Sequence, residues 1–259
     1  MRKLTKSAAV ITLAAAIAAS QPPSVPAASR NGLWAVVHDL CVPLYRGIGV
    51  PFPCREVNLN GGAGRGFAVL RTASSPSHFI LVPTARVSGI ESPLLQSEEA
   101  PNYWQAAWDA RHLVEEGAGR PLPRDAIGMA VNSAAGRSQD QLHIHVACVL
   151  TALTGFLRSH ELEIHGSWSR LRSTFAGHKF LAMKIEAEDL GKADPFRILP
   201  QALGPGGLLP KNQTLAVIGA VFRDGRPGFY LLANDARAHP LEVVSAEGLL
   251  DDKCAKRQR

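Results

Sequence analysis

Residues able to do chemistry gather in one stretch, Asn132-Ser-Ala-Ala-Gly-Arg-Ser-Gln-Asp-Gln-Leu-His-Ile-His-Val146. Side chains two apart on an extended strand share a face. A strand here puts Gln141, His143 and His145 on one face and Leu142, Ile144 and Val146 in a core. Just upstream, Gly136 offers a flexible turn, Arg137 a cation, Ser138 a hydroxyl and Gln139 an amide. A neutral imidazole is a competent nucleophile near neutral pH. Its phosphoramidate is labile enough to hydrolyse, and nearby hydrogen-bond donors can stabilise phosphoryl oxygens without a metal. Two other readings stay open. Histidines at i and i+2 on a strand also suit zinc, although the acidic partner expected soon afterwards is missing, since Val149, Leu150 and Thr151 follow. Glu161, Glu163 and His165 could supply ligands from an alternating face, or form a solvated strand face. The pair could also be purely structural. His38, His112, His160, His178 and His239 stand alone and read as surface or core residues.

The elements that must position these groups suggest an α+β fold. The run Leu33–Leu40 reads as a short helix beginning after Asn31-Gly32. Gly61-Gly-Ala-Gly-Arg-Gly66 lacks the ending of a phosphate-binding loop and precedes a strand, so it reads as a hairpin turn. Phe67–Thr72 and His78–Val82 form a strand–turn–strand. Glu98–Gly117 carries apolar residues at helical spacing behind an acidic first turn. Ile127–Val131 and Gln141–Val149 complete an antiparallel sheet with a long helix on it. The second half has strand-like runs at Leu162–Ile164, Lys179–Ile185, Thr214–Phe222 and Gly228–Asn234, the last two joined by an Asp-Gly turn. His178-Lys-Phe-Leu-Ala-Met faintly echoes His78-Phe-Ile-Leu-Val-Pro. A degenerate internal repeat and mere shared strand composition both explain that echo.

The chain has 259 residues, 46% of them hydrophobic, so a sizeable core is available and disorder is excluded as the main state. Arg2, Lys3 and Lys6 precede a 13-residue apolar run from Ser7 to Ala19, followed by Ser/Pro-rich sequence. This is the pattern of a signal peptide or N-terminal anchor over residues 1–29, with Ala18-Ala19-Ser20 or Ala27-Ala28-Ser29 suited to cleavage. Spanning needs roughly 20 apolar residues, and no second such segment exists, so a multi-pass protein is excluded. Export makes disulfides expected: Cys41 and Cys54, flanking a Pro-rich loop, read as a structural bridge, while Cys148 and Cys254 are buried or paired. The net charge of +6 resides at the two ends, in residues 2–6 and in Lys253, Lys256, Arg257 and Arg259. Residues 30–252 carry −1, which argues against a nucleic-acid partner and for contact with anionic lipid headgroups.

The Gln141-Leu-His-Ile-His run resembles the histidine triad superfamily, with Gln141 in place of the first histidine and Ser138 where those proteins carry a serine. His78-Phe-Ile-Leu-Val-Pro83 with Arg86 looks like their second strand segment. That likeness covers roughly residues 30–150, and implies a histidine-triad-like (HIT-like) catalytic half followed by an α+β half at 151–259. The Arg71 strand, the Val82-Pro-Thr-x-Arg-x-x-Gly-Ile-Glu-Ser-Pro-Leu-Leu95 segment, the N-terminal apolar signal and the long second half look like bacterial CDP-diacylglycerol pyrophosphatases. The resemblance implies hydrolysis of CDP-diacylglycerol to CMP and phosphatidate, with no cofactor and no metal, at the inner membrane facing the periplasm or in the periplasm. It implies that His143 attacks the phosphorus, Gln141 and His145 hold non-bridging oxygens, and Ser138 donates to the phosphate or leaving oxygen. Arg137, Gln139, Arg71 and Asn132 are the substrate-binding candidates. Leu70 and Arg71 stand where many triad proteins place an acidic residue for the ribose. An exported nucleotide hydrolase or transferase acting on soluble substrates, and a non-catalytic nucleotide- or lipid-binding protein with a decayed triad, are the alternatives.

Overall fold

A computed structural model describes residues 29–203, 212–234 and 245–254. The N-terminal apolar run, His239, and the tail residues Lys256, Arg257 and Arg259 lie outside the described residues. The expected α+β architecture is present. Strands β1 (Glu56–Asn58), β2 (Phe67–Arg71), β3 (Phe79–Pro83), β4 (Ile127–Val131), β5 (Ile144–Val149), β6 (Ser169–Arg170), β7 (Phe180–Ile185), β8 (Leu215–Val221) and β9 (Pro227–Asn234) join in the order β1-β2-β3-β5-β4-β8-β9-β7-β6. β10 (Leu250–Asp251) adds to the end of β5, and every pairing is antiparallel. One sheet therefore runs through both halves, which meet where β4 pairs with β8.

Helices cover both faces. On one face α3 (Tyr103–Asp109), α4 (Arg111–Ala118) and α6 (Pro195–Leu203) set Trp104, Trp108, Leu113 and Phe196 against Val69, Leu81, Ile144, Met129, Val217 and Leu231. The other face is covered in three patches. α1 (Gly32–Ala35) and α2 (Val42–Ile48), with a π-helical turn Val36–Cys41 between them, pack on Ala68 and Val82. The C-terminal segment packs Ala246 and Leu250 on Ala130 and Ala147. α5 (Thr151–Ser159) packs Leu153 near Ala216 and Ile218.

Several expected elements shift for local reasons. The first helix runs on to Ile48, past Pro43. The wide π turn precedes that residue, which lacks an N–H to continue the regular ladder. The long central helix begins at Tyr103 rather than Glu98, because Pro101 intervenes and the Asn102 carboxamide oxygen caps it by accepting from Gln105 N at 3.1 Å. It breaks at Ala110 into α3 and α4. Leu162–Ile164 is not a strand: Glu161–Glu163 is a 3-10 turn in which the Glu161 carboxylate accepts from Arg223 N and Tyr230 Oη. The proposed ligand face of Glu161, Glu163 and His165 is therefore not formed. Helices α5 and α6 and strand β1 go beyond the sequence reading.

Connectivity repeats along the chain. β2-β3, a helical segment and β4-β5 are followed by β6-β7, α6 and β8-β9, with β3 beside β5 in the first set and β7 beside β9 in the second.

Candidate active site

Residues paired across an antiparallel sheet project from the same face. Ile80, His145 and Ala130 are in register on β3, β5 and β4, so His145 stands on the face shared by α1–α2 and the C-terminal segment. His143 enters β5 two residues earlier, and the two imidazole rings lie 5.0 Å apart, edge to face. The floor beside them is made of small residues. Gly128 must stay side-chain-free, because a Cβ there would come 2.6 Å from Val149 Cγ2 and 3.0 Å from Leu250 Cδ2.

His143 is 8% exposed. Its Nδ1 lies 2.8 Å from the Gln141 carbonyl oxygen. A carbonyl only accepts, so Nδ1 carries the proton and the Nε2 lone pair is left open. Burial, and then the neighbouring His145, lower the His143 pKa to about 4. The ring is therefore neutral at pH 7, the form a nucleophile requires.

His145 is flanked on both sides. Its Nδ1 lies 2.9 Å from His78 Nε2, and its Nε2 lies 2.9 Å from Glu247 Oε1. The Glu247 contact has ion-pair distance without straight hydrogen-bond alignment, so His145 Nε2 is a buried polar atom with no aligned acceptor among the described residues. His78 Nδ1 in turn meets Asp252 Oδ1 at 2.5 Å. The close contact with His145, opposed by burial, holds Glu247 at about 2. Ligand-capable atoms of His143, His145 and Glu247 all lie within 4.8 Å of one another. In the same cluster His143 Nδ1 is held on a carbonyl, and Glu247 Oε1 is shared between His145 and the Asn132 amide at 2.6 Å.

The other sequence candidates occupy different positions. Gln141 is fully buried, and its amide is committed to the backbone of the next segment. Nε2 donates to Pro83 O at 3.0 Å and Ala85 O at 2.8 Å, while Oε1 accepts from Val87 N at 3.3 Å. β5 starts only at Ile144, so Gln141 is not part of the regular strand. Arg137 forks onto Glu91 at 2.7 and 2.9 Å and also reaches Asp140 at 3.2 Å. Burial would raise Glu91, but its hydrogen bonds, led by those of Arg137, hold it below the ordinary carboxylate range. Gln139 accepts from Leu33 N at 2.8 Å, tying the loop to the start of α1. Asn132 accepts from Ala246 N at 2.8 Å, fixing the C-terminal segment. Arg71 pairs with Phe79 and so projects from the opposite face to His145, where its guanidinium cannot offset charge at the histidines. Ser138 is exposed in the loop before the histidines.

Three residues at the site had not been singled out: His78, Glu247 and Asp252. His78 opens the strand segment that carries the family likeness. Glu247 and Asp252 sit in no motif. The available signal is the bridge Cys148–Cys254, with Cα atoms 5.1 Å apart, which ties the C-terminal segment to the histidine strand. The expected bridge Cys41–Cys54 is present too, with Cα atoms 5.7 Å apart, so no cysteine is free.

Residues 28–258 match the family model described as CDP-diacylglycerol pyrophosphatase. The CDP-diacylglycerol pyrophosphatase of Yersinia pestis is 34% identical over 226 residues, covering 87% of this chain and 84% of its own. Both matches run through the histidine strand and most of the second half, and the chain belongs to the CDP-diacylglycerol pyrophosphatase family of hydrolases.

Proposed function

We propose that this protein hydrolyses CDP-diacylglycerol to CMP and phosphatidate through a nucleotidyl-histidine, without a metal. The observation that carries the reading is the fixed tautomer of His143: a buried, neutral ring, anchored through Nδ1–H on the Gln141 carbonyl, with Nε2 open. In the first step Nε2 attacks the phosphorus of the CMP moiety. A P–N bond forms, the P–O bond to phosphatidate breaks, and the electron pair leaves on the phosphatidate oxygen. The ring becomes cationic, and the Gln141 carbonyl accepting from Nδ1–H stabilises that charge. Water then attacks the same phosphorus and yields a proton to solvent, the P–N bond breaks with its electron pair returning to Nε2, and CMP leaves. Ser138, exposed in the loop before the histidines, is in this reading the donor for the phosphate or leaving oxygen. Gln141 acts by holding the Pro83–Val87 segment against the histidine strand rather than by touching phosphate. Arg137 shapes the loop through Glu91.

The HIT-like character of the first half, and a second half that is a decayed repeat of it, belong to the same reading; the repeated strand order supports the repeat. So does a location outside the cytoplasm, at the inner membrane or in the periplasm, where two disulfides persist. Among the described residues no helix is long and apolar enough to cross a membrane, so an anchor would lie in the N-terminal apolar run.

The test is mass spectrometry of protein quenched during turnover of CDP-diacylglycerol in the presence of chelator. A cytidylyl adduct on His143, absent from His143→Ala, is expected. Full CMP release by His143→Ala, or activity removed by chelator and restored by zinc, sinks the mechanism. Turnover of soluble cytidine diphosphate esters but not of the lipid sinks the substrate assignment.

A further inference from the structure

The segment Ser245–Cys254 crosses the histidine face and is tied to the first half along its length. Asn132 accepts from Ala246 N. Leu250 and Asp251 pair with Val149 and Cys148. Cys254 is bonded to Cys148. The Asp252 carbonyl accepts from Ser77 Oγ at 3.1 Å and from Ser75 Oγ, both in the turn just before His78. These ties set one carboxylate at each end of an imidazole pair, giving a row Asp252–His78–His145–Glu247 with contacts of 2.5, 2.9 and 2.9 Å.

That row fixes where its protons are. An ionised carboxylate only accepts, so His78 Nδ1 carries a proton toward Asp252. A neutral His78 then leaves Nε2 as an acceptor, and the proton between the rings belongs to His145 Nδ1. His145 Nε2 faces a carboxylate oxygen at 2.9 Å, where a bare lone pair would be repelled, so it too is protonated. The contacts thus place a proton on each nitrogen of His145. Burial, and then the neighbouring His145, lower the His78 pKa. Because Glu247 sits off the Nε2–H axis, that buried donor is left without an aligned acceptor.

We propose that Asp252 and Glu247 are positioning residues for the reaction: by setting the protons on His78 and His145, they make His145 Nε2–H the donor to a non-bridging oxygen of the phosphorus that His143 attacks. This rests on the nucleophile reading above and adds the C-terminal segment to it. A neutral His145 in the other tautomer would present a lone pair to an anion instead.

Nitrogen-15 NMR of histidine-labelled protein tests the arrangement without any substrate. At pH 7 His78 is expected as the Nδ1–H tautomer and His145 as the doubly protonated ring; the opposite tautomer of His78, or a singly protonated His145, overturns the proposal. In Asp252→Asn the amide can turn its NH2 toward His78 Nδ1 and reverse the row. With CDP-diacylglycerol as substrate, kcat is expected to fall by about 10²-fold or more while KM stays within about threefold, in line with the roughly 10⁴-fold cost of a wrong tautomer in a serine protease triad. Glu247→Gln is expected to lower kcat in the same way and to remove the doubly protonated signal. Both variants retaining kcat within about threefold, or both losing kcat with the wild-type NMR pattern intact, overturns the positioning role. An absent adduct on His143 alongside the stated tautomers would sink the nucleophile and leave the proton arrangement supported.

Discussion

Burial of His143 makes a quantitative demand on stability. Its pKa is about 4 in the folded chain against 6.5 for the free side chain. Between those values the unfolded state binds a proton that the native state does not, so unfolding becomes easier as pH falls from 6.5 toward 4. The linkage amounts to about 1.4 kcal/mol at pH 5.5 and about 2.5 kcal/mol at pH 4.5, from a negligible value at pH 7. His143→Asn isolates this contribution, since its side-chain NH2 can take the place of Nδ1–H on the Gln141 carbonyl and does not titrate. The assay is urea unfolding of both proteins at pH 7, 5.5 and 4.5, comparing wild type minus variant so that other groups cancel. Wild type should lose about 2 kcal/mol relative to the variant between pH 7 and 4.5. A difference that stays flat would show that His143 titrates normally, and a His143 that titrates normally is neither buried nor held neutral as described.

Two further outcomes follow from the neighbouring side chains. Gln141→Ala should unfold more easily by about 2–4 kcal/mol in urea, because it leaves two buried carbonyls and one N–H without their partner; a loss below about 1 kcal/mol would mean that water replaces the amide. Replacing Cys148 and Cys254 together by Ser opens a link across 106 residues of sequence, with a chain-entropy cost of up to about 4–5 kcal/mol. CMP release should fall with it even where the protein remains folded by circular dichroism, and unchanged activity would detach the C-terminal segment from the reaction.

Legibility from sequence followed the range of the interactions. The strands around the histidines could be read because alternation of Leu142, Ile144 and Val146 with polar residues is local. So could the turn at 61–66 and the Asp-Gly turn before β9. The start of the central helix was misplaced by two acidic residues, Glu98 and Glu99, whose charge suits a first turn but whose neighbours Pro101 and Asn102 decide the boundary. His143 and His145 were legible by type and spacing. The states of Gln141, Arg137 and Arg71 were not, because each depends on tertiary context: a backbone segment 54 to 58 residues away for Gln141, the carboxylate of Glu91 for Arg137, and strand register for Arg71. Arg71 and Leu70 are adjacent in sequence, yet only Leu70 projects from the histidine face. Glu247 and Asp252 are more than 100 residues from the histidines and carry no pattern of their own.

The second half repeats the strand order of the first without repeating its chemistry. Strand β9, which lies between β7 and β8 as β5 lies between β3 and β4, reads Pro-Gly-Phe-Tyr-Leu-Leu-Ala-Asn and contains no histidine. A half with no role at the site would be free to leave. This one cannot, because β8 covers the edge of β4, and β4 in turn supports the histidine strand through the pairs Ala130–His145 and Met129–Val146. The segment Ser245–Cys254 lies on the face of the first half, where it delivers Glu247 to His145 and Asp252 to His78. Cutting at residue 150 would therefore remove a sheet neighbour, a disulfide partner and both carboxylates together. The half that carries the paired histidines is incomplete without the half that delivers their carboxylates.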